Sequence, residues 1–229
     1  MSQRPGAAPP PYEVVVFDCD STLCSIEGIE DLAGDRGPEI EALTRRAMEG
    51  ELPLEDVYGA RLELIRPTRS DLERVASRYV ETLMPGAREL VALLRQHGKR
   101  VCIVSGGLLP AVRAVGEALE LDPADVCAVD VHFEADGTYR DFDQASPLAR
   151  AGGKIEVVRR LTRELPAALI GDGATDLEAR DVVQRFIAYG GVARREAVFA
   201  GADATHSEAD LGGLAALLLG PEELAAAGL

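Results

Sequence analysis

Two carboxylates stand two positions apart in Phe17-Asp18-Cys19-Asp20-Ser21-Thr22, directly after a run of apolar residues. If the chain stays extended there, both side chains point to one side of it, and like charges that close repel unless a cation lies between them. A second acidic pair follows in Gly171-Asp172-Gly173-Ala174-Thr175-Asp176, among glycines that let the backbone turn tightly. Carboxylates converging from two such segments, in a chain with three histidines, describe an oxygen-lined site for a hard ion such as Mg²⁺. Ser105-Gly106-Gly107 adds a hydroxyl and flexible backbone donors where a helix is expected to begin, a position that favours anions. Gly152-Gly153-Lys154 adds one ammonium, suited to a phosphate oxygen as a point charge. Together these segments contain the parts that phosphoryl transfer requires.

Such residues need strands to bring them together, and the apolar patterning supplies them. Val14-Val15-Val16-Phe17 reads as a buried strand ending on Asp18, and Val101-Cys102-Ile103-Val104 as one ending on Ser105. Ala167-Ala168-Leu169-Ile170 ends on Gly171 and Asp172, and Phe186-Ile187-Ala188-Tyr189 ends on Gly190-Gly191. Carboxyl ends of strands are where open α/β sheets bind ligands. Between them lie helix-period segments such as Leu90, Leu93, Leu94 and His97, the last beside Gly98 as in a final helical turn. This alternation predicts an α/β fold, a Rossmann-like parallel sheet with helices on both faces.

Two insertions interrupt the alternation. Helical periodicity fills the stretch before Met84-Pro85-Gly86, through Ile40, Leu43, Ala47 and Met48, then Val57, Leu64 and Ile65, then Leu72, Val75, Ala76 and Tyr79. It predicts a small helical cap inserted after the first strand. Alternating residues from Val131 to Phe142, centred on Asp136-Gly137, predict a hairpin. The expected division is a disordered tail over 1–11, a core over 12–27 and 85–229, and the cap over 28–84.

Composition sets outer bounds. A chain of 229 residues with 47% hydrophobic content can bury one substantial core and at most a small accessory domain. A net charge of -15 argues against nucleic acid or an anionic membrane as partner, and requires any anion pocket to be positive locally. No stretch approaches the roughly 18 apolar residues of a membrane span. Met1 to Pro11, with one arginine, four prolines and no apolar run, does not resemble a signal peptide, so a cytoplasmic protein is expected. Cys19, Cys24, Cys102 and Cys127 show no C-x-x-C or zinc-finger spacing and read as reduced thiols, while His132 and His206 read as surface groups.

In this order the four segments are similar to the motifs of the haloacid-dehalogenase-like phosphatases. Ile26-Glu27-Gly28-Ile29-Glu30-Asp31-Leu32-Ala33, Thr44-Arg45-Arg46-Ala47-Met48 and Arg61-Leu62-Glu63-Leu64-Ile65 look like the cap of the phosphoserine-phosphatase branch. The resemblance implies that Asp18 is a nucleophile forming an acyl phosphate, and that Asp20 protonates the leaving alkoxide and later deprotonates the attacking water. It implies an Mg²⁺ ion held by Asp18, the backbone carbonyl of Asp20 and Asp172, with Asp176 acting through water. Ser105 and Lys154 would hold phosphate oxygens, with Gly106 and Thr175 as further substrate contacts. The implied substrate is a small phosphate ester, O-phospho-L-serine, and the implied role is the last step of serine biosynthesis. Glu27 would bind the substrate ammonium, Arg61 would grip its carboxylate, Met48 would line it and Arg195 would touch it. Leu54 and Val192 depart from the pattern, standing where an aromatic residue and an asparagine are common, which bears on the choice of ester rather than on the chemistry.

Taken singly, each piece has an ordinary explanation: turn aspartates after a strand, Ser105 and Thr175 as helix caps, Lys154 on the surface, Glu27 and Arg61 as an exposed ion pair. Their joint occurrence in one order is what those explanations do not cover. A dehalogenase needs no acid at Asp20, a cysteine phosphatase needs C-x₅-R, and a P-loop needs a glycine that is absent before Gly153-Lys154. A receiver module that keeps phosphate on aspartate shares the acidic cluster, hydroxyl and lysine, but needs only about half this length and no helical lid.

Overall fold

The computed structural model describes residues 11–48 and 54–229, with 44–48 and 54–55 in backbone only, so the expected tail over 1–10 and the side chain of Met48 lie outside the described residues. In chain order the elements are β1 (Val14–Phe17), α1 (Gly28–Ala33), α2 (Gly37–Met48), α3 (Leu54–Ile65), α4 (Arg69–Glu81), α5 (Ala87–Gln96), β2 (Arg100–Leu108) and α6 (Leu109–Ala118). Then come β3 (Val126–Val129), β4 (Val131–Phe133), β5 (Tyr139–Phe142), α7 (Gly153–Thr162), β6 (Ala167–Gly171), α8 (Ala174–Glu178) and β7 (Arg185–Tyr189). The chain closes with α9 (Glu196–Gly201), β8 (Ala204–His206), α10 (Ala215–Leu218) and α11 (Pro221–Ala227).

Six strands form one parallel sheet in the order β3-β2-β1-β6-β7-β8, and β4 and β5 form a separate antiparallel pair. The chain builds outward from β1 to β2 and β3, then returns to place β6 on the other flank of β1. That reversal opens a crevice at the carboxyl ends of β1 and β6, where both acidic motifs begin.

Burial explains why β1 sits centrally. All four of its residues are fully buried, alternately feeding the two faces: Val15 and Phe17 join Leu90, Leu94, Val112 and Val115 on one, Val14 and Val16 join Val157, Val158 and Leu169 on the other. Each such side chain stabilises the fold by roughly 1.5–3 kcal/mol relative to exposure. Helices therefore cover both faces, and among the described residues none is long and apolar enough to cross a membrane.

Two edge strands, β3 and β8, are not legible in the sequence, being only four and three residues long. Ser105-Gly106-Gly107 does not open a helix as expected: β2 runs on through Leu108 and the helix starts at Leu109. Pairing of β2 with β3 shifts register between Val104 and Leu108, so the glycines mark an irregular stretch inside a strand. The hairpin matches expectation, with Gly137 at φ 87°. His97 closes α5.

The last helix of the insertion, α4, is fixed at its start by a reciprocal cap. The Asp71 N–H donates to Thr68 Oγ1 at 3.2 Å, and the Thr68 N–H donates to Asp71 Oδ2 at 3.0 Å. Thr68→Ala should cost about 1 kcal/mol and lower the thermal midpoint by about 2–4 °C. The side-chain and backbone hydrogen bonds from Thr68 hold the Asp71 carboxyl below the usual carboxylate range. Its stabilisation is therefore present above the unfolded value of about 3.9 and lost as pH falls through the lower folded value. Thermal scans of the parent and Asp71→Asn should differ by a constant amount from about pH 5 upward and converge in acid.

Candidate active site

The sheet continues one residue past β1, because the Asp18 N–H donates to Ile170 O at 2.9 Å. This places the Asp18 carboxylate at the crevice, where Oδ1 accepts from Cys19 N at 2.8 Å and Oδ2 lies 2.8 Å from Lys154 Nζ. The chain then turns away. Asp18 and Asp20 are themselves in extended conformations, but Ser21 takes φ 51°, and both carboxyls reach the same cavity.

Lys154 is not the surface lysine of the ordinary explanation: it is 6% exposed, in the first turn of α7, and its ammonium also lies 2.6 Å from Asp176 Oδ1. Burial by itself would lower the ammonium, but the charges of Asp176 and Asp18 outweigh it and hold it above the usual lysine value. Two carboxylates share this one cation, so burial and the charge of Asp18 push Asp176 upward although Lys154 pulls it down. Asp176 is fully buried, and its Oδ2 accepts from Gly173 N at 3.0 Å. A Cβ at Gly171 would come within 2.2 Å of Asp176 Cγ, which is why the motif opens on glycine.

Asp172, also buried, accepts from Thr22 Oγ1 at 3.1 Å and contacts Arg195 through its other oxygen. Carboxylate oxygens of Asp18, Asp172 and Asp176 all lie within 4.8 Å of one another, an all-oxygen donor set fit for a hard divalent cation.

Asp20 sits differently. Its Oδ1 accepts from Gly28 N at 2.8 Å and from the Tyr79 hydroxyl, and its Oδ2 accepts from Ser105 Oγ at 3.2 Å. Burial and the neighbouring Asp18 raise its carboxyl above the usual range, with these hydrogen bonds opposing. Ser105 is itself fully buried and accepts from Gly107 N at 2.9 Å, so it stands behind the cavity wall rather than on it.

The cavity encloses about 230 Å³, and Asp18, Asp20, Glu27, Arg61, Gly106, Lys154, Asp172, Thr175 and Arg195 all line it. Glu27 and Arg61 do not form the exposed pair of the ordinary explanation. Glu27 accepts from Ser21 Oγ at 2.7 Å and lies 3.6 Å from Arg195, while Arg61 Nε is buried with no hydrogen-bond partner. Burial lowers the Arg61 guanidinium below its usual value, the carboxylates nearby opposing. The lining carries four cations, Arg61, Arg150, Lys154 and Arg195, against four carboxylates, Asp18, Asp20, Glu27 and Asp172. The wall is thus balanced within a chain of net charge -15, and a bound divalent ion would make it positive.

Three residues that contribute here were missed in the sequence. Thr22 orients Asp172, Tyr79 donates to Asp20, and Tyr58 donates to Gly106 O at 2.9 Å while lining the cavity. Tyr79 had read only as part of an apolar helical stripe; a tyrosine at such a position, able to bury its ring and still need a hydrogen-bond partner, was the available signal.

Residues 12–180 match the sequence profile of the haloacid dehalogenase-like hydrolases. The chain is 39% identical over 191 residues to the phosphoserine phosphatase of Mus musculus, covering 81% of this chain and 85% of that one. It is 39% identical over 198 residues to the chloroplastic phosphoserine phosphatase of Arabidopsis thaliana, covering 83% and 67%. Among solved structures, a substrate-bound phosphoserine phosphatase complex is similar with a TM-score of 0.76 and 25% identity, over 91% of this chain and 99% of that one. A phospho-aspartyl intermediate analogue of phosphoserine phosphatase gives 0.75 and 25%, over 91% and 100%.

Because the carboxylate cluster is already assembled, Mg²⁺ should stabilise the protein, by about 2.7 kcal/mol at a hundred times its dissociation constant. Thermal scans with and without chelator should show this rise in the parent and not in Asp172→Asn; a parent midpoint indifferent to Mg²⁺ would rule out a pre-built cation site.

Proposed function

The chain belongs to the haloacid dehalogenase-like hydrolase family, and from that premise we propose that it hydrolyses O-phosphoserine through a covalent phosphoryl group on Asp18. It is a phosphatase acting on a small phosphate ester. The observation that carries the reading is the pairing of two aspartates in different surroundings at one cavity: Asp18 is held against Lys154, and Asp20, among hydroxyls and the Gly28 N–H, has its carboxyl raised above the usual range. Two carboxyl groups in contrasting environments are what a nucleophile and a general acid require.

In the first half-reaction an oxygen of Asp18 bonds to phosphorus as the ester P–O bond breaks, and the leaving oxygen takes the proton of Asp20. In the second, a water attacks phosphorus and gives its proton to the Asp20 carboxylate, and Asp18 is released with inorganic phosphate. Lys154 supplies fixed positive charge beside the transferring group without rearranging. Asp18, Asp172 and the backbone carbonyl of Asp20 would hold Mg²⁺, with Asp176 further out, and the bound ion would mask negative charge that keeps nucleophile and phosphate apart. Gly106 and Thr175 line the space for the phosphate, and Ser105 acts from behind it through Asp20 and the Gly107 N–H.

Substrate choice rests on the lid. Arg61, with a buried and unpaired Nε, suits the carboxylate of phosphoserine, and Glu27 suits its ammonium. Arg195, also lining the cavity, reaches toward Glu27 and Asp172. We read residues 28–84 as the cap, 12–27 and 85–229 as the core, and Met48 as a further cap contact. Four free cysteines, three of them buried, suit a cytoplasmic setting.

Phosphate release from a panel of phosphomonoesters with Mg²⁺ tests the assignment. Asp18→Asn should abolish turnover and the base-labile phosphoryl adduct, and Arg61→Ala should lose about 10- to 100-fold in kcat/KM on amino-acid phosphates alone. Equal loss on every ester would remove the cap assignment. Since only protonated Asp20 can serve the leaving group, kcat/KM should fall as pH rises through its raised value. A profile flat between about pH 4 and 9 would contradict that role.

A further inference from the structure

Asp20 must present its proton to the leaving oxygen, yet a free carboxyl group can carry a proton on either oxygen and rotate. What removes that freedom here lies in the inserted helices. The two oxygens of Asp20 are in unequal surroundings: Oδ1 accepts two hydrogen bonds, from the Gly28 N–H and the Tyr79 hydroxyl, whereas Oδ2 meets one hydroxyl, that of Ser105. In a neutral carboxyl the oxygen that accepts two donors is the carbonyl oxygen, and the proton resides on the other.

Resting on the reading of Asp20 as the general acid, we propose that Tyr79 is a positioning residue that fixes the acid's proton on Oδ2, the oxygen beside the cavity-lining Gly107. Several constraints place the Tyr79 hydroxyl. The ring is 1% exposed on the face of α4 that also buries Leu72 and Val75. Gly28 and Gly107 flank the hydroxyl so tightly that a Cβ on Gly28 would come within 2.1 Å of it, and one on Gly107 within 3.3 Å. Asp31 on α1 pairs with Arg78, the neighbour of Tyr79, and with Arg74 at 3.6 Å, so ion pairs link the helix bearing Gly28 to the helix bearing Tyr79. Both donors to Oδ1 therefore come from the same linked pair of helices. When the ester P–O bond breaks and the Asp18 oxygen bonds to phosphorus, the Oδ2 proton passes to the departing oxygen, and Oδ1 and Oδ2 share the resulting charge with Tyr79 and Gly28 still donating.

The test uses phenyl phosphates graded in the acidity of their phenol, none of which carries an ammonium or carboxylate for the cap to grip. A poor leaving group needs the proton, and p-nitrophenolate does not. With the Mg²⁺-loaded enzyme, Tyr79→Phe should lower kcat/KM about tenfold on phenyl phosphate and less than about twofold on p-nitrophenyl phosphate. Asp20→Asn should steepen the same dependence further. Gly28→Ala, whose methyl group displaces the hydroxyl without altering residue 79, should reproduce the Tyr79→Phe pattern and serves if that variant folds poorly. Equal losses along the series in Tyr79→Phe and Gly28→Ala, with Asp20→Asn still steep, would overturn the role of Tyr79 alone. A loss in Asp20→Asn that is blind to the leaving group would overturn the acid assignment and the inference together.

Discussion

Lys154 holds two buried carboxylates at once, and the elements around it are arranged to keep that contact fixed. Burying an ion costs several kcal/mol, and two carboxylates on one ammonium leave a net negative charge in the interior. Such a cluster persists only where the backbone over-determines it. Asp18 is locked by sheet pairing to Ile170, Asp176 by the Gly173 N–H and the missing Cβ of Gly171, and Lys154 by the first turn of α7. The buried carboxylates of Asp18, Asp172 and Asp176 suit a divalent cation, and a bound cation would in turn favour phosphate.

The same constraint divides labour between the two aspartates of the first motif. Asp18 faces the lysine, and Asp20, two residues later and just before the turn at Ser21, faces hydroxyls and a backbone N–H. The sheet and α7 supply Asp18 and Lys154; the inserted helices supply Gly28 and Tyr79, which donate to Asp20, and Tyr58 and Arg61, which line the cavity.

The strong negative charge of the chain and its use of an anionic substrate are compatible because charge is balanced locally. Arg61, Arg150, Lys154 and Arg195 converge on one cavity from α3, the loop before α7, α7 itself and the loop before α9. Screening confines the remaining surface charge to about 8–10 Å at physiological ionic strength, so the lining decides what binds.

What the sequence determined by itself was everything written in local patterning: β1, β6 and β7 as apolar runs, the amphipathic insertion, the hairpin at Asp136-Gly137, and the four motifs with Asp18, Asp20, Asp172 and Lys154 among them. Those features depend on neighbours within a few positions, which a sequence displays directly. Tertiary structure alone decided that Lys154 is buried between Asp18 and Asp176, that Ser105-Gly106-Gly107 is an irregular strand segment, and that Ser105 stands behind Asp20. It also decided that Tyr79, 59 residues from Asp20, ends on that carboxyl. Such contacts join residues far apart in the chain, and their geometry is set by how the helices and strands pack, since hydrophobic burial fixes where α4 lies but is indifferent to the hydroxyl its tyrosine carries.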